Sequence, residues 1–195
     1  YEDENEYLVK DIVHSERKEL ESGLFSNVYK DRNGDIIISF RGTDDYKDWM
    51  SNFAVAYGNN STQRKEAREL IKKYIEQYPG QVVLVGHSLG GYLATSAALG
   101  LADKLKAVYA YNAPGIDVGV SKHFNENEIK ALVGKTTQVY HKNDIVHTVG
   151  IFTQGVNYES EDVHFENRVK VTGYYGFWDK YLPWNNNHRM PNFSR

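Results

Sequence analysis

The segment at residues 86–90 reads Gly-His-Ser-Leu-Gly and places one serine hydroxyl between two glycines. A serine hydroxyl attacks a carbonyl carbon when a nearby base removes its proton. The glycines two positions before and after Ser88 allow a sharp turn to close without a side-chain clash. The pattern indicates that Ser88 is the nucleophile of an acyl-transfer reaction. The alternative is a glycine-rich turn in which Ser88 only caps a helix.

The segments on either side of Ser88 favour the catalytic interpretation. Residues 82–85, Val-Val-Leu-Val, form an apolar run typical of the central strand of a parallel sheet. Residues 89–101 are rich in alanine and leucine and predict a helix. The N-terminus of that helix directs backbone N–H groups and a positive dipole end towards the reacting oxygen. A strand, a serine turn and a helix in this order form the arrangement known as a nucleophile elbow.

The rest of the chain alternates between patterns typical of strands and of helices. Apolar residues at helical spacing predict a helix over residues 61–78. The other predicted elements are a helix at 2–13, a hairpin of strands 24–30 and 36–40, a strand at 106–111, a helix at 126–133, a strand at 136–141, a second hairpin of 152–158 and 168–172, and a short aromatic helix near the end. Because strands that alternate with helices pair in parallel, we predict an α/β fold with a mostly parallel central sheet flanked by helices.

The composition predicts one domain over residues 1–195. Hydrophobic residues make up 41% of the 195 residues, and no apolar run is long enough to cross a bilayer. The formal net charge of −3 and the lack of a basic run argue against a nucleic-acid partner. The absence of cysteine excludes a disulfide scaffold and a thiol nucleophile. The spacing of the seven histidines indicates no metal site.

Several motifs together resemble the class 3 lipases, which include the fungal triacylglycerol lipases. Residues 86–91, Gly-His-Ser-Leu-Gly-Gly, and residues 38–43, Ile-Ser-Phe-Arg-Gly-Thr, carry the resemblance most strongly. Residues 111–115, Tyr-Asn-Ala-Pro-Gly, and 143–146, Asn-Asp-Ile-Val, are similar to segments of that family, and the order agrees from about residue 36 to residue 149. The resemblance implies an α/β-hydrolase fold and hydrolysis of lipid esters, by a lipase or a phospholipase A1, without a cofactor. A small-ester carboxylesterase or thioesterase and an inactive binding module are the alternatives.

The resemblance also implies roles for individual residues. Ser88 corresponds to the nucleophile and Asp144 to the acid of a Ser-His-Asp triad. The backbone N–H groups of Thr43 and Leu89 correspond to the oxyanion hole, and Arg41 to a structural residue. Taken alone, the Asn-Asp pair that contains Asp144 is also common in turns. Its position after a predicted strand and its place in the family order favour the catalytic role.

The triad base is the least constrained member of the set. Ser, Asp and His follow one another along the chain in this family, so the base lies beyond Asp144. His188 lies near the C-terminus in a segment similar to the His-x-Met-x-Asn-aromatic segment of bacterial relatives, and it is the favoured base. His164 is the second candidate. His147 occupies a position at which the family usually has proline, and it lies too close to Asp144 to reach Ser88 as well.

The substrate and the location are less defined than the chemistry. Residues 53–63 correspond to the lid of fungal relatives but are short and mostly polar, so we expect a minimal lid. The sequence does not decide between phospholipids, monoglycerides and esters of short or medium acyl chains as substrates. The aromatic tail at 174–184 is expected to pack in the core, with an acyl pocket or transient contact with a membrane surface as alternatives. The chain does not begin with Met and shows no signal peptide, which is expected of a processed product or of an effector domain from a larger protein. Secretion or effector-type delivery is favoured over a cytoplasmic location. No pattern indicates an oligomeric state.

Overall fold

The structure, a computed structural model, describes residues 12–42, 61–116, 118–141 and 167–171. These residues form seven strands, four α-helices and one short 3₁₀ helix. In chain order the elements are β1 (Ile12–Glu19), β2 (Phe25–Asp31), β3 (Ile36–Phe40), α1 (Ser61–Gln77), β4 (Val82–His87), α2 (Leu89–Ala98), the 3₁₀ helix (Ala102–Lys104), β5 (Leu105–Tyr111), α3 (Val118–Ser121), α4 (Glu126–Lys135), β6 (Thr136–His141) and β7 (Asn167–Val171).

The seven strands form one sheet whose spatial order equals their order in the chain. β1, β2 and β3 are antiparallel neighbours, whereas β3 to β7 pair in parallel. In the parallel part, Ile38 lies opposite Leu84, and Tyr111 lies opposite Val139. The carboxyl ends of parallel strands meet at one edge of a sheet, which is the usual place for a site in an open α/β fold. Ser88 follows β4 at this edge.

The core lies between the sheet and the helices α1 and α2. Every residue of α2 is buried, which explains its alanine-rich sequence, because small side chains let the helix pack closely on β4 and β5. Alternate residues of β3 are also buried, as expected for a strand with one covered face. The apolar stripe of α1 packs on the same core through Ala67, Leu70, Ile71 and Ile75.

Most predicted elements are confirmed, and one prediction at the edge of the sheet is wrong. Residues 12–13 belong to strand β1 and not to the predicted helix, whose other residues, 2–11, lie outside the described part. Five consecutive residues of β1, 13–17, are exposed, so the strand shows no apolar alternation in the sequence. β7 covers four residues of the predicted strand 168–172 but pairs in parallel with β6. Its predicted hairpin partner, 152–158, and the predicted aromatic helix lie outside the described residues.

None of the helices that the structure describes is long and apolar enough to cross a membrane. Most of the lid segment, residues 53–60, lies outside the described ranges, and residues 61–63 begin α1.

Candidate active site

Ser88 occupies a strained turn between β4 and α2. Its backbone has φ 56° and ψ −126°, a conformation that residues with a Cβ adopt rarely and at a cost of about 1–3 kcal/mol. Its N–H donates to the carbonyl oxygen of Tyr111 at 2.9 Å, and its carbonyl oxygen accepts from the N–H of Tyr92 at 3.1 Å. The Ser88 side chain makes no capping hydrogen bond to the helix. The helix-capping alternative is therefore wrong, and the geometry is that of a nucleophile elbow.

Three glycines allow this turn to close against its neighbours. A Cβ on Gly86 would lie 2.2 Å from the carbonyl carbon and oxygen of Gly90. A Cβ on Gly90 would lie 2.1 Å from the carbonyl oxygen of Phe40, and one on Gly91 would lie 2.5 Å from Cβ of Ala113. Real contacts to Cβ atoms are never this short, so any side chain here would push α2 away from the ends of β3 and β5.

The chain leaving β3 passes directly beside Ser88. A Cβ on Gly42 would lie 2.8 Å from the carbonyl oxygen of His87 and 3.5 Å from Cβ of Ser88. The next residue, Thr43, is the predicted oxyanion donor and lies outside the described residues. The second predicted donor, Leu89, is the first residue of α2, where backbone N–H groups have no partner within the helix.

The other predicted triad members are not among the described residues. Asp144 and all three candidate bases, His147, His164 and His188, lie outside them. β6, however, ends at His141, three residues before Asp144 in the sequence, and it runs parallel to β5, which in turn lies beside β4. The chain therefore leaves β6 at the same edge of the sheet as Ser88. The roles of Asp144 and of the three histidines stay predictions.

Two buried polar residues, Asn112 and Gln138, join the ends of β5 and β6, and no pattern of residue types in the sequence predicts either of them. Asn112 is fully buried with φ 43°, and its N–H donates to the carbonyl oxygen of Val139 at 2.8 Å. The Nε2 amide of Gln138 donates to the carbonyl oxygen of Ala113 at 2.9 Å. The segment at 111–115 stands out in the sequence only because it resembles a segment of the class 3 lipases. Asn tolerates the left-handed conformation better than most residues, which accounts for its presence after β5.

Two other side chains near the turn, those of His87 and Tyr111, are packed into the protein. His87 is half-buried with its Nε2 atom inside the protein. Burial, assisted by nearby Tyr109, raises the pKa of Tyr111, which keeps its phenol neutral at physiological pH. The described residues contain no group of three or more His, Cys, Asp or Glu side chains that could hold a metal ion.

A cavity of about 250 Å³ opens close to Ser88, next to its sequence neighbour Leu89. Two of its lining residues are the neighbours of Ser88 described above, Gly42 and Leu89. The others come from the β1–β2 turn, the end of β3 and the start of α1, namely Gly23, Leu24, Phe25, Arg41 and Gln63. The wall is thus apolar near the sheet and polar at Arg41 and Gln63.

A family profile for Tle-like phospholipase domains, described as phospholipase-like, matches residues 6–149. The chain belongs to this family. Over 104 residues, 53% of its length, this phospholipase-like chain is 31% identical to the extracellular phospholipase A1 of Serratia liquefaciens. The aligned part covers 30% of that protein, so the chain matches less than a third of the length of this curated relative.

Solved structures support the fold. The triacylglycerol lipase of Penicillium expansum superposes with a TM-score of 0.56 at 18% identity, over 84% of this chain and 71% of the lipase. The Lip2 lipase of Yarrowia lipolytica superposes with a TM-score of 0.55 at 17% identity, over 82% of this chain and 65% of that lipase. The predicted α/β-hydrolase fold and the resemblance to lipases are confirmed, and the predicted class, a hydrolase of lipid carboxylic esters, agrees with the family.

Proposed function

We propose that this phospholipase-like domain hydrolyses carboxylic esters of lipids, as a phospholipase A1 or a lipase, through an acyl-enzyme on Ser88. This proposal rests on the strained backbone of Ser88 between β4 and α2. Gly42 lies close to this turn, since a Cβ on Gly42 would be 3.5 Å from the Cβ of Ser88. Such strain persists only where the surrounding structure enforces it, and it typically marks a functional site. Membership of a phospholipase-like family and a relative named as a phospholipase A1 support a lipid ester as the substrate.

In the proposed first step, His188 accepts the Ser88 hydroxyl proton while Oγ attacks the ester carbonyl carbon. Asp144 orients the imidazole and stabilises the imidazolium that forms. The N–H groups of Thr43 and Leu89 stabilise the oxyanion, and the loss of one such donor typically lowers the rate about 10²–10³-fold. The imidazolium then protonates the alcohol oxygen as the carbon–oxygen bond breaks, which leaves an acyl ester on Ser88.

In the second step, His188 removes a proton from water, which attacks the acyl-enzyme. The tetrahedral intermediate collapses, the proton returns to Ser88 Oγ, and the fatty acid leaves. The cycle needs no metal and no cofactor.

Labelling with a fluorophosphonate tests the nucleophile. The wild-type protein should be labelled, Ser88→Ala should not, and Ser96→Ala should be labelled as the wild type is. Ser96 is a matched control because it is a buried serine of α2, the helix that directly follows Ser88. Equal labelling of Ser88→Ala, or none of the wild type, would overturn the proposal.

Substitution of the histidines tests the base. His188→Ala should lower kcat by several orders of magnitude, whereas His164→Ala and the exposed control His123→Ala should retain activity. Unchanged activity in His188→Ala combined with loss in His164→Ala would assign the base to His164.

A substrate series tests the acyl donor and the site of action. Phosphatidylcholine, triacylglycerol and p-nitrophenyl esters of increasing chain length separate a phospholipase, a lipase and a small-ester esterase. The relative is named as an extracellular enzyme, which supports secretion or effector delivery and a transient contact with lipid surfaces. Co-sedimentation with phosphatidylcholine vesicles tests that contact, and its absence would contradict it.

A further inference from the structure

The cavity near Ser88 lies at the edge of the sheet where the proposed reaction takes place. β2 runs antiparallel to β3, so the turn that precedes β2 lies at the same edge as the carboxyl end of β3. Leu24 and Phe25, where β2 begins, line the cavity together with Gly42 and Leu89. Leu89 follows Ser88 in the chain, and Gly42 lies against it in space. A molecule bound in the cavity therefore adjoins the turn that carries the serine.

Hydrogen bonds hold the β1–β2 turn against the start of α1, so this wall of the cavity is fixed before a ligand arrives. The N–H of Ser22 donates to Oε1 of Glu66 at 3.2 Å, and the Ser22 hydroxyl donates to Oε2 of the same carboxylate. The Nε2 amide of Gln63 donates to the carbonyl oxygen of Ser22 at 3.3 Å. Within the turn, the N–H of Gly23 donates to the carbonyl oxygen of Leu20 at 2.9 Å. A site that is formed in advance loses less entropy when it binds a small molecule.

The oxygen of the Gln63 amide is left for a ligand. A backbone carbonyl oxygen only accepts hydrogen bonds, so the contact with Ser22 requires the amide nitrogen on that side and Oε1 on the other. Among the described residues, Oε1 accepts no hydrogen bond, and it is not one of their buried side-chain atoms without a partner. It is therefore accessible, on a residue that lines the cavity. An amide oxygen in this position accepts a hydrogen bond from a hydroxyl group of a bound molecule.

The size and the lining of the cavity fit the alcohol part of a simple glycerol ester. Its volume of about 250 Å³ is below the ~300 Å³ at which most small-molecule sites begin, which is too small for a long acyl chain. Leu24, Phe25 and Leu89 supply apolar surface for carbon atoms, and Gln63 supplies an acceptor for a hydroxyl. Of the two halves of a lipid ester, the glycerol of a monoacyl lipid is the one that is both compact and a hydroxyl donor.

We infer that the cavity binds the glycerol part of a monoacyl lipid, with Oε1 of Gln63 as the acceptor for a free glycerol hydroxyl. The inference rests on the proposed hydrolysis at Ser88 and narrows its substrate to glycerol monoesters, which are monoacylglycerols or lysophospholipids. Gln63 contacts the alcohol part and not the reacting carbonyl group, so it determines specificity and takes no part in the proton transfers. An ester whose alcohol lacks a hydroxyl leaves the amide oxygen without a partner and binds less well.

The test compares two esters with the same acyl group and the same carbon skeleton in the alcohol. The esters are 1-hexanoylglycerol and propyl hexanoate, both below their solubility limits. In the wild type, kcat/KM should be roughly tenfold higher for the glycerol ester, because the hydroxyl bond to Gln63 is made. Gln63→Met should lower kcat/KM for the glycerol ester roughly tenfold, mainly through KM, and leave that for propyl hexanoate within about twofold. Methionine is an unbranched side chain of similar length, and its thioether is only a weak acceptor.

Two control variants separate recognition of the hydroxyl from a structural role of Gln63. Ser22→Ala removes the hydroxyl bond to Glu66 and so loosens the same wall without changing the acceptor, and it should change kcat/KM for both esters by the same factor. Gln77→Met makes the matched substitution at an exposed position at the end of α1 and should change neither. Equal losses on both esters in Gln63→Met, or no preference of the wild type for the glycerol ester, would overturn the inference.

The third substrate, 1-hexanoyl-lysophosphatidylcholine, identifies the source of the glycerol ester. It shares the hydroxyl beside the ester with 1-hexanoylglycerol, so Gln63→Met should lower kcat/KM for both. The ester with the higher kcat/KM in the wild type then identifies the substrate as a lysophospholipid or a monoacylglycerol. No loss on the lysophospholipid would restrict the glycerol site to monoacylglycerols.

Binding measured without turnover separates this inference from the proposed function. The ether 1-O-hexylglycerol cannot be hydrolysed, and its binding to Ser88→Ala and to Ser88→Ala combined with Gln63→Met is measured by NMR titration. Binding that is roughly tenfold weaker in the second variant supports the glycerol site even if the wild type hydrolyses no ester, in which case only the proposed hydrolysis fails. Equal binding to both variants, or binding to neither, would reject the glycerol site.

Discussion

The N–H of Ser88 donates a 2.9 Å hydrogen bond to the carbonyl oxygen of Tyr111, which joins the turn at Ser88 to the end of the neighbouring strand β5. Beyond Tyr111, the N–H of Asn112 donates to Val139 at 2.8 Å. Backbone hydrogen bonds therefore run across the ends of β4, β5 and β6 at the edge of the sheet where Ser88 lies. The positive φ of Ser88 is enforced by this chain of contacts and by the close approach of Gly90 and Gly86.

The strain at Ser88 leads to a prediction about stability. A glycine adopts φ 56° without a steric cost, so Ser88→Gly should be about 1 kcal/mol more stable than Ser88→Ala. At positions with ordinary backbone angles the order is reversed, because glycine has the larger entropy in the unfolded chain. Urea denaturation of the two inactive variants measures the difference. A less stable Ser88→Gly would show that the turn is not strained.

Gly90 gives a second prediction, because α2 approaches the end of β3 at this residue. A Cβ on Gly90 would lie 2.1 Å from the carbonyl oxygen of Phe40, and neither backbone can move freely. Gly90→Ala should lose about 3 kcal/mol or more of stability, together with esterase activity. Gly134→Ala is the control, because no atom lies within 4 Å of its Cβ position in α4. Denaturation should show a gain of about 0.5 kcal/mol there, from helix propensity.

The central part of the fold was predictable because its signals are local. The apolar runs at 82–85 and Ile36–Phe40 are strands with one buried and one partly buried face. Continuous apolar sequences are typical of strands that are covered on both faces. The nucleophile turn was predictable for the same reason, since the close contacts at Gly86 and Gly90 admit no side chain. In both cases the physical constraint acts on residues that are adjacent in the chain.

The edges of the sheet and the cavity were not predictable from local patterns. β1 is an edge strand with exposed charged side chains, as is usual where a sheet end must avoid pairing with another chain, so no apolar period marks it. The parallel partner of β7 depends on a crossover and not on a turn sequence. The cavity wall depends on the contacts of Ser22 with Gln63 and Glu66, which lie 41 and 44 residues further along the chain, so no local pattern encodes it.

Arg68 gives a third prediction, since it links α1 to the end of α2. Its Nη1 atom donates to the carbonyl oxygens of Ala97, at 2.9 Å, and of Leu99. These carbonyl groups have no further partner within the helix, so a charged donor satisfies them. Arg68→Ala should lower the free energy of unfolding by about 1–2 kcal/mol, as measured by urea denaturation.

Lys72→Ala provides the comparison for Arg68→Ala. Lys72 lies one turn further along α1, is exposed, and pairs with Glu69 at 2.7 Å. An exposed pair of this kind contributes about 0.5 kcal/mol or less. Equal effects of the two substitutions would mean that the contact of Arg68 with α2 contributes nothing specific.

Two neighbouring hydroxyl groups in α2 give the last prediction. The Thr95 hydroxyl donates to the carbonyl oxygens of Gly91 and Tyr92, each at 3.1 Å, whereas the buried Ser96 hydroxyl has no hydrogen-bond partner among the described residues. Thr95→Val should therefore lower stability by about 1 kcal/mol. Ser96→Ala should raise it by about 0.5 kcal/mol or more, because it removes a buried polar group without a partner and improves helix propensity. Thermal denaturation of the two variants should shift the midpoint in opposite directions, and shifts of the same sign would contradict the difference in hydrogen bonding.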